Sequence, residues 1–471
     1  MKLYISNVIT ITDYTKDIEL YCKNNLTFPN PDFEKRKRMG FYVGNISRFI
    51  TVYSKYNDMY YLPIGSFNDL WKIHPITDDW VDFSNDKPVN VVSNIKLRDY
   101  QVPCLDAIKK YYNGLFILPA GTGKTLTALA CFGELKQKTL WLTHTQDLLN
   151  QAKTECESNM ICKTSTITKG KCDYSGDIVF ATIQTLSNVI DKEEIPQDAF
   201  GMVIGDEIQH CIISGESVMQ FQKCMNYFAS RYKLGLTATL HTSNGLHKVI
   251  PYLIGNIIYE LKKVDDKLIG IYENKNIVSV NAADFQIPAR IYYIYTNYSV
   301  MGKDIFMNDN QTVSFSKLLT DIAEDTARNK LILDLLSSLK GSTIVVSDRT
   351  SQLKELASYF DNAFFVDSST KKAERERGLD LVRKGEIKYL FATYKLICEG
   401  FNAPILENLV MATPVKDLRI VIQSIGRVQR PYKGKKYANV YDIVDDVGKL
   451  DKFLRERKKI YKQQNYEIMG G

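Results

Sequence analysis

The residues Pro119-Ala120-Gly121-Thr122-Gly123-Lys124-Thr125 set two glycines, a lysine and a hydroxyl in the order of a phosphate cradle. Glycines let backbone N–H groups converge on phosphate oxygens, Lys124 can reach the β and γ oxygens of a nucleoside triphosphate, and the Thr125 hydroxyl suits Mg²⁺. The general pattern starts with a glycine where this chain has Leu118, so its strict form fails by one residue. Further on, Gly205-Asp206-Glu207-Ile208-Gln209-His210 supplies adjacent carboxylates. One carboxylate can hold a metal ion through water, and its neighbour can orient and deprotonate an attacking water; we assign these roles to Asp206 and Glu207. Near the C-terminal end, Gln423-Ser424-Ile425-Gly426-Arg427-Val428-Gln429-Arg430 spaces two arginines three apart, on one face of a helix. Guanidinium groups can stabilise the charge that develops on a γ-phosphate. Singly, an acid pair after a strand is a solvated turn and an arginine pair is a salt-bridged face. Together behind a phosphate cradle, they read as chemistry.

The elements around these residues must be strands that deliver loops to one edge. Gly114 to Leu118 is a short apolar strand running into the cradle, Thr125 to Leu135 has helical spacing, and Thr139 to Thr143 is a strand again, a βαβ unit. The rhythm continues at Ile178 to Ala181, Met202 to Ile204 and Lys233 to Leu236, then loosens into a polar, tyrosine-rich stretch from His241 to Phe315. A second series has strands at Ser342 to Ser347, Ala363 to Asp367, Tyr389 to Thr393 and Asn408 to Thr413, and a charged helix at Asp451 to Gln464. Residues 1–88 differ, being rich in aromatics, with apolar runs Phe49 to Ser54 and Met59 to Ile64 that predict a hairpin. The expected organisation is an N-terminal accessory domain over 1–88, an α/β domain over 89–245, a linker and insertion over 246–320, and a second α/β domain over 321–471.

Composition narrows the partners. Lysines and arginines, 61 in all, exceed the 54 acids by only 7, so a scaffold that coats nucleic acid through bulk charge is excluded and any such contact must be local. Nine cysteines without a C-x-x-C pair argue against a disulfide framework and a zinc site, and fit a reducing cytoplasm, that of the host if the chain is viral. No signal-peptide core opens the chain and no apolar run is long enough to span a bilayer, so no membrane role is expected.

PAGTGKT and DEIQH resemble motifs I and II of superfamily 2 helicases of the DExH kind, and further motifs follow in order. Leu97-Arg98-Asp99-Tyr100-Gln101 resembles the adenine-reading motif, which implies nucleotide contacts from Arg98 and Gln101 beside Gly121, Thr122, Gly123, Lys124 and Thr125. Leu142 to Gln151, with Thr143 and Gln151, and Ala181 to Leu186, with Thr182 and Gln184, look like the DNA-backbone motifs, whose hydroxyls and amides suit phosphates. Leu236-Thr237-Ala238-Thr239 is similar to the motif that couples nucleotide state to the track, a role the resemblance extends to His210, Thr237, Thr239 and Gly400. Thr343 to Arg349 and Ala392 to Asn402 resemble motifs IV and V, which adds Arg349 and Thr393 to the DNA contacts; Asn402 stands where the family often has Asp. Gln423 to Arg430 matches the form Q-x-x-G-R-x-x-R in full, which places Gln423, Arg427 and Arg430 in catalysis.

The resemblance implies two tandem RecA-like α/β domains with parallel sheets, plus a small N-terminal α+β domain containing the hairpin. It implies ATP and Mg²⁺ as cofactors and DNA as track, and it comes nearest to the UvsW-type branch-migration helicases of tailed phages, which act on branched DNA. Forked, junction or single-stranded DNA, replication or recombination proteins and a monomeric state are expected. A duplex translocase, an RNA helicase and a non-catalytic DNA-binding module with a relic motor fold are the alternatives, with a small-molecule kinase disfavoured by the second domain. The basic tail from Lys433 to Lys462, including Lys435, Lys436, Arg455, Arg457, Lys458 and Lys459, is either a DNA contact or a solvated face. Tyr53, Tyr60 and Trp71 read as core before stacking platforms, and the polar stretch Tyr295 to Phe315, with Lys303, as a DNA-facing loop or a connector.

Overall fold

A computed structural model describes residues 1–73, 80–119, 121–240, 244–265, 267–299, 314–398 and 403–470. Ala120, Lys303, Gly400 and Asn402 therefore lie outside the described residues. The chain divides into two units, Met1–Val264 with Leu268–Val280, and Asp265–Lys267 with Asn281–Gly471. Among the described residues no helix is long and apolar enough to cross a membrane.

In the first unit, the apolar runs form parallel strands buried along nearly their whole length, as a sheet covered on both faces requires. Ile178–Thr182, Thr139–Thr143, Met202–Gly205, Tyr232–Thr237 and Asn113–Ile117 lie side by side in that order, with every adjacent pair parallel. In register, Leu142 lies opposite Gly205 and Thr237 opposite Ile117. The segments leaving these strands therefore emerge along one edge, where open α/β sheets bind their ligands.

The sheet does not end where the sequence pattern loosens. Ile257–Val264 pairs in parallel with Asn113–Ile117, and Lys267–Tyr272 and Lys275–Asn281 follow it outward. Gly114 permits this approach, since a Cβ there would lie 2.6 Å from Ile258 Cγ2. Residues 246–280, expected as linker, are thus mostly sheet of the first unit.

The N-terminal region carries its own five-stranded sheet, ordered Ser54–Tyr56, Met59–Leu62, Ile9–Thr12, Lys2–Ile5, Trp80–Asp82. The expected hairpin is present with a shorter first strand: Tyr56 pairs with Met59 across Asn57 and Asp58, both left-handed at φ 47° and 54°, the backbone that matches strand twist in a two-residue turn. Phe49–Thr51 pairs instead with Thr27–Pro29. Leu3, Ile9, Ile11 and Leu62 share one buried cluster with Val218, Phe221 and Leu253 of the α/β part, so residues 1–88 are fused to it through a common core. Tyr60 is buried, whereas Trp71 is exposed.

The second unit is a seven-stranded sheet, ordered Ala363–Val366, Tyr389–Thr393, Ser342–Ser347, Leu406–Met411, Ala438–Val444, Ala289–Tyr295, Glu467–Ile468. Its pairings are parallel throughout. Ala289–Tyr295, expected within the insertion, is an interior strand. The charged helix forms over Gly448–Gln463, but its basic residues are not all on a solvated face. Arg457 is buried and donates from Nε and Nη2 to Asp442 at 2.9 Å each, with Tyr461 Oη donating to the same carboxylate at 2.9 Å. Removing one partner leaves an uncompensated buried charge, so Arg457→Ala should destabilise the second unit by about 3–5 kcal/mol in urea denaturation of the full chain, and a loss below about 1 kcal/mol would overturn this account.

Candidate active site

The phosphate loop leaves strand Asn113–Ile117 and turns into helix Lys124–Leu135 through two left-handed glycines, Gly121 at φ 84° and Gly123 at φ 81°. Gly123 precedes the helix with no side-chain cap, so first-turn N–H groups and the helix dipole are available to an anion. Thr122 is buried, its hydroxyl donating to Pro119 O at 2.7 Å. The loop is held from beneath. Tyr100 Oη donates to Thr122 O at 2.9 Å, and Gln101 Nε2 donates to Thr122 O at 3.1 Å and Thr127 Oγ1 at 2.8 Å. Gln101 Oε1 accepts from the Arg98 N–H, so the carboxamide is engaged at both ends and would have to exchange these bonds to read an adenine edge. Arg98 itself is exposed.

Lys124 Nζ lies 3.2 Å from Glu207 Oε1. Glu207 sits in left-handed backbone at φ 48°, which turns the chain sharply after the strand. Burial pushes its acid up, but Lys124, the Gln209 side chain and His210 outweigh that and hold it below the usual carboxylate range. Asp206 goes the other way, raised by burial and by the neighbouring Glu207 charge. An acid buried at a strand end without enough positive charge around it is an oxygen donor of the kind that Mg²⁺ takes.

From Glu207 a chain of hydrogen bonds leads across the sheet. Gln209 Nε2 donates to Glu207 Oε2 at 2.5 Å, Thr237 Oγ1 reaches Gln209 Oε1 at 2.6 Å, and the Thr239 N–H donates to Thr237 Oγ1 at 3.1 Å. On the other side, His210 stacks on His144 with centroids 4.8 Å apart. His144 is pushed down to about 4 by burial, with His210 adding to the effect and Glu207 opposing it. Sequence reasoning missed His144, Gln209 and Tyr100; the signal for the first two was a polar side chain just beyond the C-terminal end of a strand.

The expected DNA contacts divide. Gln184 is exposed and Gln151 partly so, while Thr182 caps helix Ile183–Asp191. Thr143 does not qualify: it is fully buried and its hydroxyl donates to Thr145 O at 2.9 Å, shaping the loop instead of facing solvent. In the second unit Thr393 ends its strand, half-buried, and the Arg349 guanidinium donates to Thr320 Oγ1 and Ser316 O. Gln423 and Arg427 lie on helix Leu418–Val428, but that helix stops before Arg430, which therefore falls in the following bend and not on the same helical face. Arg427 Nε donates to Ile397 O at 3.1 Å. Burial, with Arg427 beside it, lowers the Arg430 guanidinium to about 10.

Comparison with known proteins agrees with this geometry. Residues 94–242 match the family model described as type III restriction enzyme, res subunit, and residues 327–432 the helicase conserved C-terminal domain, together more than half of the chain. The chain belongs to the superfamily 2 helicases. This helicase is 27% identical to a DNA 3′-5′ translocase XPB2 of Sulfurisphaera tokodaii, over 78% of this chain and 86% of that protein. It is 24% identical to a putative ATP-dependent RNA helicase of Acanthamoeba polyphaga mimivirus, over 75% of this chain and 64% of that one. Among solved structures, Saccharomyces cerevisiae Dbp5 bound to RNA and ADP BeF3 covers 79% of the helicase and 90% of its own chain at 15% identity and TM-score 0.56, a likeness of fold. T4 UvsW aligns over 100% of the helicase and 99% of its own chain at 17% identity and TM-score 0.39.

As an ATP-dependent helicase, the protein should lose ATP hydrolysis entirely in Lys124→Ala. Glu207→Gln should keep nucleotide affinity within a few fold while kcat falls by about 10²- to 10⁴-fold. Steady-state turnover and nucleotide titration check both, and near-normal turnover in Glu207→Gln would remove it as base.

Proposed function

We propose that the helicase is a DNA-dependent ATPase that translocates 3′ to 5′ and remodels forks or four-way junctions by branch migration. What carries the reading is the distribution of chemistry: Lys124, Asp206 and Glu207 belong to one unit, Arg427 and Arg430 to the other. A γ-phosphate held by the first lacks the guanidinium charge its transfer needs until the second supplies it. Hydrolysis then depends on closure, and closure is the motion that moves a track. Asp206 and Thr125 would hold Mg²⁺, which neutralises charge on the bound phosphates, while Lys124 binds the β and γ oxygens and Glu207 takes a proton from the attacking water. The chain Glu207–Gln209–Thr237 would report nucleotide state along the sheet edge to Thr239.

DNA as the track is supported by the name of the Sulfurisphaera relative and by a surface that the sequence reading passed over. Helix Pro31–Arg38 buries none of its residues and ends in Lys35, Arg36, Lys37 and Arg38, all exposed. Beyond it Met39, Phe41 and Tyr42 stand open, Tyr42 at 79% exposure, and Arg48 lies over the Phe49 ring. Basic groups with open aromatic rings suit a backbone whose bases are unpaired, as at a fork. The mimivirus relative's name favours RNA as the second reading.

Three outcomes are expected. ATP turnover should rise most with forked or four-way DNA in a panel that includes plain duplex and RNA, and Arg430→Ala should bind ATP yet fail to hydrolyse it; stimulation by RNA alone would select the second reading. Replacing Lys35, Arg36, Lys37 and Arg38 by alanine should weaken DNA binding and lower the slope of log affinity against log salt by up to about four, and an unchanged slope would take this helix off the track.

A further inference from the structure

Lys435 stands in the basic tail, yet its side chain is buried at 8% exposure. Its ammonium donates to three backbone carbonyls: Leu406 O at 2.5 Å, Pro404 O at 3.0 Å and Arg430 O at 3.1 Å. Three protons meet three acceptors, so the group is fully satisfied. No ion-pair partner closes on it among the described residues. Burying a cation chiefly against neutral oxygens is costly, so packing by itself gives no reason for a lysine here.

The three carbonyls do give one. Pro404 and Leu406 belong to the turn that enters strand Leu406–Met411. Arg430 is in the bend after helix Leu418–Val428. Pro431 then redirects the chain, Gly434 takes left-handed backbone at φ 82°, and the Lys435 N–H closes the turn on Tyr432 O at 3.0 Å. That turn swings the Lys435 side chain back beneath the arginine it follows. Three residues before Arg430, in the last turn of helix Leu418–Val428, Arg427 is tied to Ile397 O. The two arginines are thus anchored by different means, Arg427 through its guanidinium to Ile397 O and Arg430 through its backbone carbonyl to the lysine that also holds Pro404 and Leu406.

We propose that Lys435 is a positioning residue for phosphoryl transfer, which fixes the backbone of Arg430 to the turn at Pro404–Leu406 so that the guanidinium is presented at a set place. The inference rests on the reading of Arg430 as the group that stabilises the γ-phosphate. Burial and the Arg430 charge lower Lys435, Glu407 opposes them, and the result is about 8. A lysine that loses a proton keeps two N–H groups for three carbonyls, so one anchor is lost as pH rises through that value.

The experiment is steady-state ATP hydrolysis by the full-length helicase, with kcat and KM for ATP taken separately, for wild type, Lys435→Met, Lys435→Arg and Arg430→Ala. A misplaced transition-state group should cost Lys435→Met about ten- to a hundredfold in kcat with KM for ATP within about twofold. Wild type should lose kcat on the alkaline side of Lys435 titration, and Lys435→Arg, which stays charged, should keep most of the activity without that fall. Wild-type kcat in Lys435→Met overturns the proposal. If that variant does not fold, the same alkaline fall in wild type and Lys435→Arg overturns it. Full hydrolysis by Arg430→Ala would instead bring down the arginine reading itself, whereas a loss in Arg430→Ala alone would leave that reading standing and remove Lys435.

Discussion

The contact between Lys124 and Glu207, 3.2 Å apart at the edge of a parallel sheet, is the constraint around which the first unit is arranged. Neither charge is well solvated there, and each makes the other tolerable. For the pair to form, the loop after Asn113–Ile117 and the turn after Met202–Gly205 must reach the same edge although Tyr232–Thr237 runs between their strands. Parallel pairing guarantees the shared edge, and left-handed backbone at Gly123 and Glu207 aims the two side chains across the intervening strand. The glycine adopts that backbone freely; the glutamate does so at a cost that the ion pair and Gln209 offset.

The same intervening strand explains why a threonine stands at this edge. Thr237 ends the strand between the two halves of the pair, so its hydroxyl is in reach of Gln209, which in turn holds the second oxygen of Glu207. The carboxylate is therefore tied through Gln209 to Thr237 and, through the Thr239 N–H, to Thr239. A single hydroxyl proton cannot serve Gln209 Oε1 and Thr239 O at once, and both lie 2.6 Å away. The hydroxyl therefore has two discrete donor arrangements.

Much of this was legible in the sequence because strand, loop and helix alternate with clean apolar runs, and because chemistry sits at strand ends. Strands at Thr139–Thr143, Ser342–Ser347 and Tyr389–Thr393 fall where the pattern placed them. Ile257–Val264 and Ala289–Tyr295 did not show, since their tyrosines and lysines mimic a polar connector; only their pairing against Asn113–Ile117 and Ala438–Val444 makes them strands. Tertiary context overrides local composition in such cases. Thr143 illustrates the opposite error, a hydroxyl whose type suited a phosphate but whose position at the end of a central strand buries it.

Charge runs were the least legible feature, because formal charge says nothing of depth. The KRKR run over 35–38 stands open on a helix that buries nothing, whereas the tail of similar composition spends Arg457 on Asp442 and Lys435 on three carbonyls. The difference lies in what surrounds each run. Helix Pro31–Arg38 leaves its one large apolar side chain, Phe33, only half-buried and presses nothing fully into the core, so its charges stay in water, while Val440 and Tyr461 are buried, draw the tail inward and carry its cations with them. Once inside, a cation must find oxygens: Arg457 finds Asp442 and Val415 O, and Lys435 finds the carbonyls of Pro404, Leu406 and Arg430. The packing of the tail and the course of the Arg430 backbone therefore meet at Lys435.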